Sequence, residues 1–221
     1  MGEPGAAPRM RRRGLATRAR LVDAAKQVFE EHGFLDARII DIAERGGVSH
    51  GSFYHYFESK EQIFREVAAA QEERLTAPPA DDDRLAPSPD DTATDRIRKA
   101  NRRYLEHYRD EARIMGVIEE VSRYDAEVNT ARVQRQKHFA ERAERAIRRL
   151  QAEGLADAAV DATLAADALG AMVARFAELW LVQGYRRYDF EHAVDQLTRL
   201  WANALRLEDG PAPRRSRAKR A

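Results

Sequence analysis

The sequence predicts an all-α protein, with a small N-terminal group of three helices followed by a larger helical bundle. Apolar residues recur at the three- and four-residue spacing of amphipathic helices through most of the 221 residues. Glycine and proline stand mainly between these periodic segments, where helices end. The sequence contains no alternating pattern of useful strand length and no internal repeat. Its 43% hydrophobic and 34% charged residues predict a real core beneath heavily charged helix faces.

Composition and missing motifs exclude several classes of protein. The absence of cysteine excludes disulfides and cysteine-ligated metals. No apolar run approaches about 18 residues and no hydrophobic signal region is found, so we expect a cytoplasmic protein without a membrane partner. The six histidines form no H-E-x-x-H pair, and nucleophile-elbow, phosphate-loop and dinucleotide-binding motifs are missing. We therefore expect no enzyme activity, no cofactor and no metal.

The first helix is expected from about residue 17 to residue 32, where Gly33 ends it. Its apolar face is formed by Leu21, Ala25, Val28 and Phe29. A short second helix follows, with an apolar side made by Ile39, Ile42 and Ala43. Gly46 and Gly47 stop this helix, because glycine accepts the left-handed backbone at low cost. Val48 is expected at the buried corner of the turn.

The third helix is crowded with aromatic and small polar residues. Ser49 is a good N-cap, and Phe53 and Phe57 lie four residues apart, so they can anchor the helix to a core. The residues left outward are His50, Gly51, Ser52, Tyr54, His55 and Tyr56. This pattern is typical of a helix-turn-helix, whose second helix enters a DNA major groove.

The segment from Thr17 to Phe64 resembles the DNA-binding domain of the tetracycline-repressor (TetR) family. The resemblance is carried, in order and at family spacing, by Ala24–Phe29, Gly33–Phe34, Asp41–Ala43, Gly47–Ser49, Gly51–Phe57 and Ser59–Glu61. Two positions depart from the family pattern. Ala37 replaces the usual threonine at the start of the second helix, so Asp36 is expected to cap it instead. Ile40 takes a place that is commonly polar.

The DNA-contacting residues follow from this motif and from the resemblance. His50, Ser52 and His55 can reach base edges, and Gly51 lets the backbone approach closely. Arg38, Tyr54 and Lys60 suit phosphate oxygens, whereas Tyr56 either packs or contacts phosphate. The full predicted set is Arg38, Ser49, His50, Gly51, Ser52, Tyr54, His55, Tyr56 and Lys60.

Basic residues concentrate at both ends of a chain whose formal net charge is +1. Residues 1–14 combine arginine with proline and glycine, which predicts a disordered basic arm. We favour DNA as its partner, because the arm precedes the DNA-binding domain. The basic tail at residues 208–221 is also expected to be disordered, and either a polyanion partner or solubility explains it.

We assign residues 15–65 to the DNA-binding domain and residues 66–75 to a connecting helix. These residues continue a helix that is expected to begin at a Ser59–Gln62 capping box. Residues 76–94 are rich in proline and aspartate, which predicts a linker. Residues 95–207 form the effector-binding and dimerisation domain. Its helices are expected at residues 95–109, 111–124, 126–152, 161–183 and 190–207.

The resemblance implies a small-molecule pocket among these helices and a dimer formed by the last two. Candidate pocket residues, each of which alone also fits plain core, are Tyr104, Tyr108, Met115, Phe139, Met172, Phe176 and Trp180. Either ligand contact or simple exposure explains Asn129, His138 and Arg175. The apolar stripe of the last helix is broad, with Leu200 widening it. Interface residues are expected at Leu197, Trp201, Ala204 and Leu205.

The sequence therefore predicts a homodimeric TetR-like transcriptional regulator. We expect a repressor that binds a palindromic double-stranded DNA operator and is released by a hydrophobic or acyl-type small molecule. The alternative is a TetR-like activator, or a ligand-independent DNA-binding protein with a closed core.

Overall fold

The computed structural model describes residues 6–76, 88 and 90–207, and within them the chain is all-α without strands, as predicted. One π-helical turn, Glu178–Val182, follows the eighth helix. The α-helices are α1 (Ala6–Asp36), α2 (Ile39–Arg45), α3 (His50–Phe53), α4 (Lys60–Thr76), α5 (Ala93–Asp110), α6 (Ala112–Val121), α7 (Ala126–Ala152), α8 (Ala162–Ala177) and α9 (Phe190–Leu205). None of the described helices has the length and apolarity needed to cross a membrane.

Helix α1 begins earlier than the sequence predicted. It starts at Ala6, so residues 6–14 are helical rather than part of a disordered arm. Alanine, methionine and arginine are good helix formers, and Pro8 falls in the first turn, where a missing amide is tolerated. Gly33 interrupts the helical geometry near the other end, with a φ of 72°. Residues 1–5 and 208–221, with the remaining arm and tail predictions, lie outside the described residues.

The chain divides into two compact units. The first contains the residues up to Arg74 together with Arg113–Arg132, and therefore includes α6 and the start of α7. This differs from the predicted boundary, which placed all of residues 95–207 in the second domain. Arg65 of α4 explains the difference, since its guanidinium pairs with Asp125 at 2.9 Å and with Glu127 at 2.8 Å. The ring of Tyr124 also lies 6.5 Å from that of Phe34, between centroids.

The second unit contains α5, most of α7, α8, the π-helical turn and α9. Helix α5 starts with a capping box, in which Thr92 and Asp95 exchange hydrogen bonds of 3.1 Å. Ion pairs join α5 to α9, between Arg98 and Asp195 and between Arg102 and Glu191. The prediction of one helix over residues 161–183 missed the π-helical turn, in which the Gln183 amide bonds the Glu178 carbonyl at 3.0 Å.

Most of the predicted linker, residues 77–87 and 89, lies outside the described residues. At its end the carboxylate of Asp91 pairs with Lys99 at 2.8 Å. The hydrogen bond from Lys99 and one from the Ser88 amide lower the pKa of Asp91. Helix α5 begins at Ala93, two residues earlier than predicted, because Thr92 supplies the cap.

Candidate nucleic-acid interface

Two buried phenylalanines hold α3 against the first unit. Phe53 and Phe57 are 0% and 1% exposed, and their ring centroids lie 5.8 Å apart. The guanidinium of Arg18, on α1, lies 4.7 Å from the Phe57 ring centroid and also pairs with Glu66 of α4. The predicted anchoring by the two rings is confirmed. The contacts of Arg18 with Phe57 and Glu66 were not predicted, since the sequence shows Arg18 only as one more arginine of a basic segment.

The turn between α2 and α3 uses its two glycines differently. Gly47 has a left-handed backbone, with a φ of 69°, as predicted for a helix end. Gly46 is right-handed; a Cβ there would lie 2.7 Å from Leu21 Cδ2, so any side chain would require Leu21 of α1 to shift. Val48, predicted to be buried, is only half-buried. Gly46 therefore places the end of α2 close against α1.

The caps of the two short helices differ. Ser49 caps α3 as predicted, because its hydroxyl accepts the Ser52 amide at 3.1 Å and lies 2.8 Å from the Ser52 hydroxyl. Helix α2 has Arg38 at its N-cap and no side-chain cap. The expectation that Asp36 caps α2 is therefore wrong; Asp36 is the exposed last residue of α1.

The outward face of α3 and of the turn after it is polar and carries no lysine or arginine between His50 and Tyr56. His50, Gly51, Tyr54 and His55 are exposed, while Ser52 and Tyr56 are half-buried. The rings of His50 and Tyr54 meet edge to face, with centroids 5.3 Å apart. A Cβ at Gly51 would meet nothing within 4 Å, so the protein itself does not require glycine there. This face offers hydrogen-bonding groups of the kind that read base edges.

The two predicted cationic phosphate contacts differ in the structure. Arg38 is exposed and donates to both carboxylate oxygens of Asp41, at 3.0 and 3.2 Å. This hydrogen bond and the negative charge of Asp41 raise the pKa of Arg38. Lys60 instead directs its ammonium to the backbone, donating to the carbonyls of Phe34, Leu35 and Ala37 at 2.7, 3.0 and 3.0 Å. The Lys60 side chain is therefore also held by the protein's own backbone, and its contact with phosphate stays a prediction.

An open groove of about 500 Å³ lies beside α1 and α2. Its lining side chains are all polar or charged: His32, Asp36, Arg38, Asp41, Glu44 and Arg45. Arg45 pairs with Glu31 at 2.7 Å, which lowers the pKa of Glu31 and raises that of Arg45. No cluster suited to a metal ion occurs among the side chains that the structure describes. A groove of this chemistry does not suit an apolar effector.

Comparison with known proteins assigns the helix-turn-helix. Residues 21–67 match the family described as "Bacterial regulatory proteins, tetR family". The match identifies residues 21–67 as a TetR-type DNA-binding segment. It is 43% identical over 58 residues to the HTH-type transcriptional regulator YdgC of Bacillus subtilis, covering 26% of this chain and 30% of YdgC. It is 36% identical over 61 residues to UidR of Escherichia coli K12, covering 28% of this chain and 31% of UidR. These matches thus span about a third of the relatives' length.

Solved structures extend the similarity to the fold of most of the chain. FadR of Bacillus halodurans, a fatty acid degradation regulator, superposes with a TM-score of 0.65 at 18% identity, covering 86% of this chain and 97% of FadR. GusR of Salmonella enterica has a TM-score of 0.65 at 20% identity, over 86% and 95% of the two chains. At such identities the likeness concerns the fold alone. The relatives matched are transcriptional regulators rather than enzymes.

The predicted pocket residues fall into both units. Met115 is fully buried in the first unit, and the other six belong to the second. Tyr104 lies 5.1 Å from Tyr108 and 5.7 Å from Phe139, between ring centroids. Phe176 and Trp180 lie 5.4 Å apart in a second set of rings with Tyr188 and Phe190. The structure therefore does not gather the seven residues within one unit.

The polar residues considered as ligand contacts are all exposed. Asn129, of the first unit, and His138 and Arg175, of the second, are exposed, which agrees with the exposed interpretation. Arg175 pairs with the buried Glu178 at 2.6 Å. Sequence reasoning missed Arg103, which is half-buried; burial and the nearby charge of Arg142 lower the pKa of Arg103. In sequence it resembles the surface arginines around it.

Three of the four predicted dimer-interface residues are buried inside the protomer. Leu197, Trp201 and Leu205 are 5%, 9% and 1% exposed within the protomer. They form the inner face of α9, so only Ala204, which is exposed, remains available to a partner. The outward apolar side chains of the last two helices are instead Leu164 of α8, 69% exposed, and Leu200 of α9, 51% exposed.

Proposed function

We propose that the chain is a TetR-type transcriptional regulator that binds double-stranded DNA as a homodimer, with α3 in the major groove. The observation that carries the proposal is the division of α3 into two faces. Phe53 and Phe57 are buried, whereas the uncharged polar groups around them face outward. Such a helix is fixed by its apolar side and free to present donors and acceptors to base edges.

The proposed contacts divide by chemistry. His50 and His55 are exposed and reach base edges, with Ser52 contributing its hydroxyl while Ser49 caps the helix. Tyr54, 48% exposed, and Arg38 contact phosphate oxygens, which set the register of the protein on the duplex. Gly51 allows a close backbone approach, since the space around its Cα is open.

A second copy of the chain is the proposed partner of the outer faces of α8 and α9. Leu164 and Leu200 are exposed there together with the small residues Ala168, Ala171 and Ala204, and small side chains let helices approach closely. A two-fold dimer presents two α3 helices about 34–36 Å apart, one turn of DNA, which requires a palindromic operator.

We further propose that the protein is a repressor and that a hydrophobic or acyl-type small molecule releases it from DNA. It is supported by the aromatic rings around Tyr104 and Phe176 in the second unit. FadR of Bacillus subtilis, similar in fold at 17% identity, was solved in complex with stearoyl-CoA. A ligand weakens DNA binding only if it prefers the conformation that binds DNA less well.

Selection of duplexes from a random pool tests DNA binding, followed by fluorescence anisotropy on the selected sequence with and without stearoyl-CoA. We expect a palindromic sequence bound with a stoichiometry of two chains, and weaker binding when stearoyl-CoA is present. No enrichment of any sequence would contradict the DNA-binding proposal. Enrichment without any effect of stearoyl-CoA, of free fatty acids or of other apolar metabolites would instead favour the ligand-independent alternative.

A further inference from the structure

Arg103 of α5 is a half-buried cation without a carboxylate partner. Within the part of the chain that the structure describes, its guanidinium forms no hydrogen bond, ion pair or ring contact. Other basic residues of the same helix do pair with carboxylates, namely Arg98, Lys99 and Arg102. A charge taken partly out of water without a counter-ion is unfavourable. Arg103 is therefore left able to bind an anion.

A second arginine, Arg142 of α7, lies near Arg103. Burial of Arg103, and then the positive charge of Arg142, lower the pKa of Arg103. Arg142 is exposed and has no ion pair among the described residues either. Glu106 and Glu141, acidic neighbours in sequence, pair with other cations at 3.6 and 3.9 Å. An anion placed beside the two guanidinium groups is attracted by both.

Aromatic rings lie beside the two arginines on the same two helices of the second unit. Tyr104 directly follows Arg103 in α5. Phe139 precedes Arg142 by about one turn of α7. The ring centroids of Tyr104 and Phe139 lie 5.7 Å apart, which brings these stretches of α5 and α7 together. Both rings are half-buried, so apolar surface remains accessible next to the pair of cations.

We propose that Arg103 and Arg142 bind the anionic head group of the effector, a carboxylate or a phosphate, while its apolar part packs against Tyr104 and Phe139. This inference rests on the proposed function and names the chemical class of its ligand as an anionic amphiphile. A guanidinium matches both head groups, because its planar fork donates two parallel hydrogen bonds to a pair of oxygens. The bound anion also screens the repulsion between the two arginines.

Probes with one alkyl chain and different head groups separate the two parts of the ligand. Dodecanoate, dodecyl phosphate, dodecanol and dodecyltrimethylammonium are titrated into the full chain by calorimetry, below their micelle concentrations. We expect at least one of the two anions to bind about tenfold or more tighter than dodecanol, since charged hydrogen bonds add to the apolar contact. The cationic probe should bind more weakly than dodecanol. The preferred anion identifies the head group as carboxylate or phosphate.

Arg103→Gln removes the charge and keeps a hydrogen-bonding side chain. It should lower the affinity for the anionic probe about tenfold or more and leave the affinity for dodecanol unchanged. Arg142→Gln should act in the same direction. Lys137→Gln removes the same charge from an exposed α7 residue that pairs with Glu141. As the matched control, it should bind every probe as the wild type does.

Each other outcome identifies which idea fails. Equal binding of anions and dodecanol by the wild type, or wild-type affinity for the anions in Arg103→Gln, would overturn the head-group inference and leave the proposed effector release standing. An equal loss of anion and dodecanol binding in Arg103→Gln would also overturn it, because Arg103 would then be structural.

The proposed release from DNA fails in a different way. If neither these probes nor stearoyl-CoA bind the wild type, release by a small molecule is wrong and the head-group inference fails with it. Anions that bind through Arg103 without any change in operator affinity would contradict the release step alone and support the head-group site.

Discussion

Replacing Leu200 with glutamate should separate the proposed dimer and leave each protomer folded. Leu200 is 51% exposed in the protomer, so association can remove about half of its surface from water. Full burial of a leucine side chain contributes about 1.5–3 kcal/mol, so half contributes about 0.8–1.5 kcal/mol. Two copies meet in a two-fold dimer, which gives about 1.5–3 kcal/mol, or a dimer about 10 to 150 times weaker. Burying the new carboxylate adds to that loss.

Sedimentation equilibrium across a concentration series measures this change, and circular dichroism checks that the helices remain. Leu197→Glu is the contrasting variant, because Leu197 is 5% exposed and faces the interior of its own protomer. It should unfold the second unit rather than release a folded protomer. A Leu200→Glu protein with the wild-type dissociation constant, or a Leu197→Glu protein that is fully folded, would refute the assignment of the two faces of α9.

Three further predictions concern DNA contacts and acid stability. His50→Ala should cost about 1–3 kcal/mol on the preferred operator and relax the choice of particular base pairs, whereas Tyr54→Phe should weaken all sequences alike; titrations of single-base operator variants measure both. Burial opposes ionisation of Asp125, but a backbone amide and the Arg65 guanidinium outweigh it, so the pKa of Asp125 lies below its usual value. The unfolded chain then takes up a proton first, so this stabilisation exists above about pH 4 and disappears as pH falls through the folded pKa. In urea unfolding, the stability difference between the wild type and Asp125→Asn should therefore shrink on acidification, and a difference independent of pH would contradict it. Deleting residues 1–13 should spare dimerisation but lower the salt slope of DNA binding by roughly 4–7 per dimer if two to four arginines in each subunit contact phosphate; an unchanged slope would leave those arginines without a role in binding.

Local patterns predicted the helices and the anchors of α3 well. Helix α7 occupies Ala126–Ala152, the same range that its apolar period and flanking residues predicted. Phe53 and Phe57 are buried because their four-residue spacing places both rings on one side of a short helical segment. These features depend on neighbours in sequence, which is the information that periodicity contains.

Features that depend on tertiary neighbours were not predictable in the same way. The apolar stripe of α9 indicated a buried face, but helical spacing does not distinguish burial within a protomer from burial by a second copy. For that reason Leu197 was assigned to an interface and Leu200 only to the edge of the stripe. The acceptors of Lys60 are backbone carbonyls, which carry no sequence signature. The sequence therefore indicated only a phosphate contact for this lysine.

The first unit is assembled from two separate stretches of chain, and this delays its completion during synthesis. Arg65 and its partner Asp125 are 60 positions apart, so α4 leaves the ribosome before its ionic partner exists. At about 5–20 residues per second, that interval lasts roughly 3–12 s. A nascent chain or fragment that ends near residue 74 has the helix-turn-helix but lacks α6, which contains the fully buried Ile114, Met115 and Ile118. Fragments of this domain should therefore extend to residue 132 with the intervening segment retained.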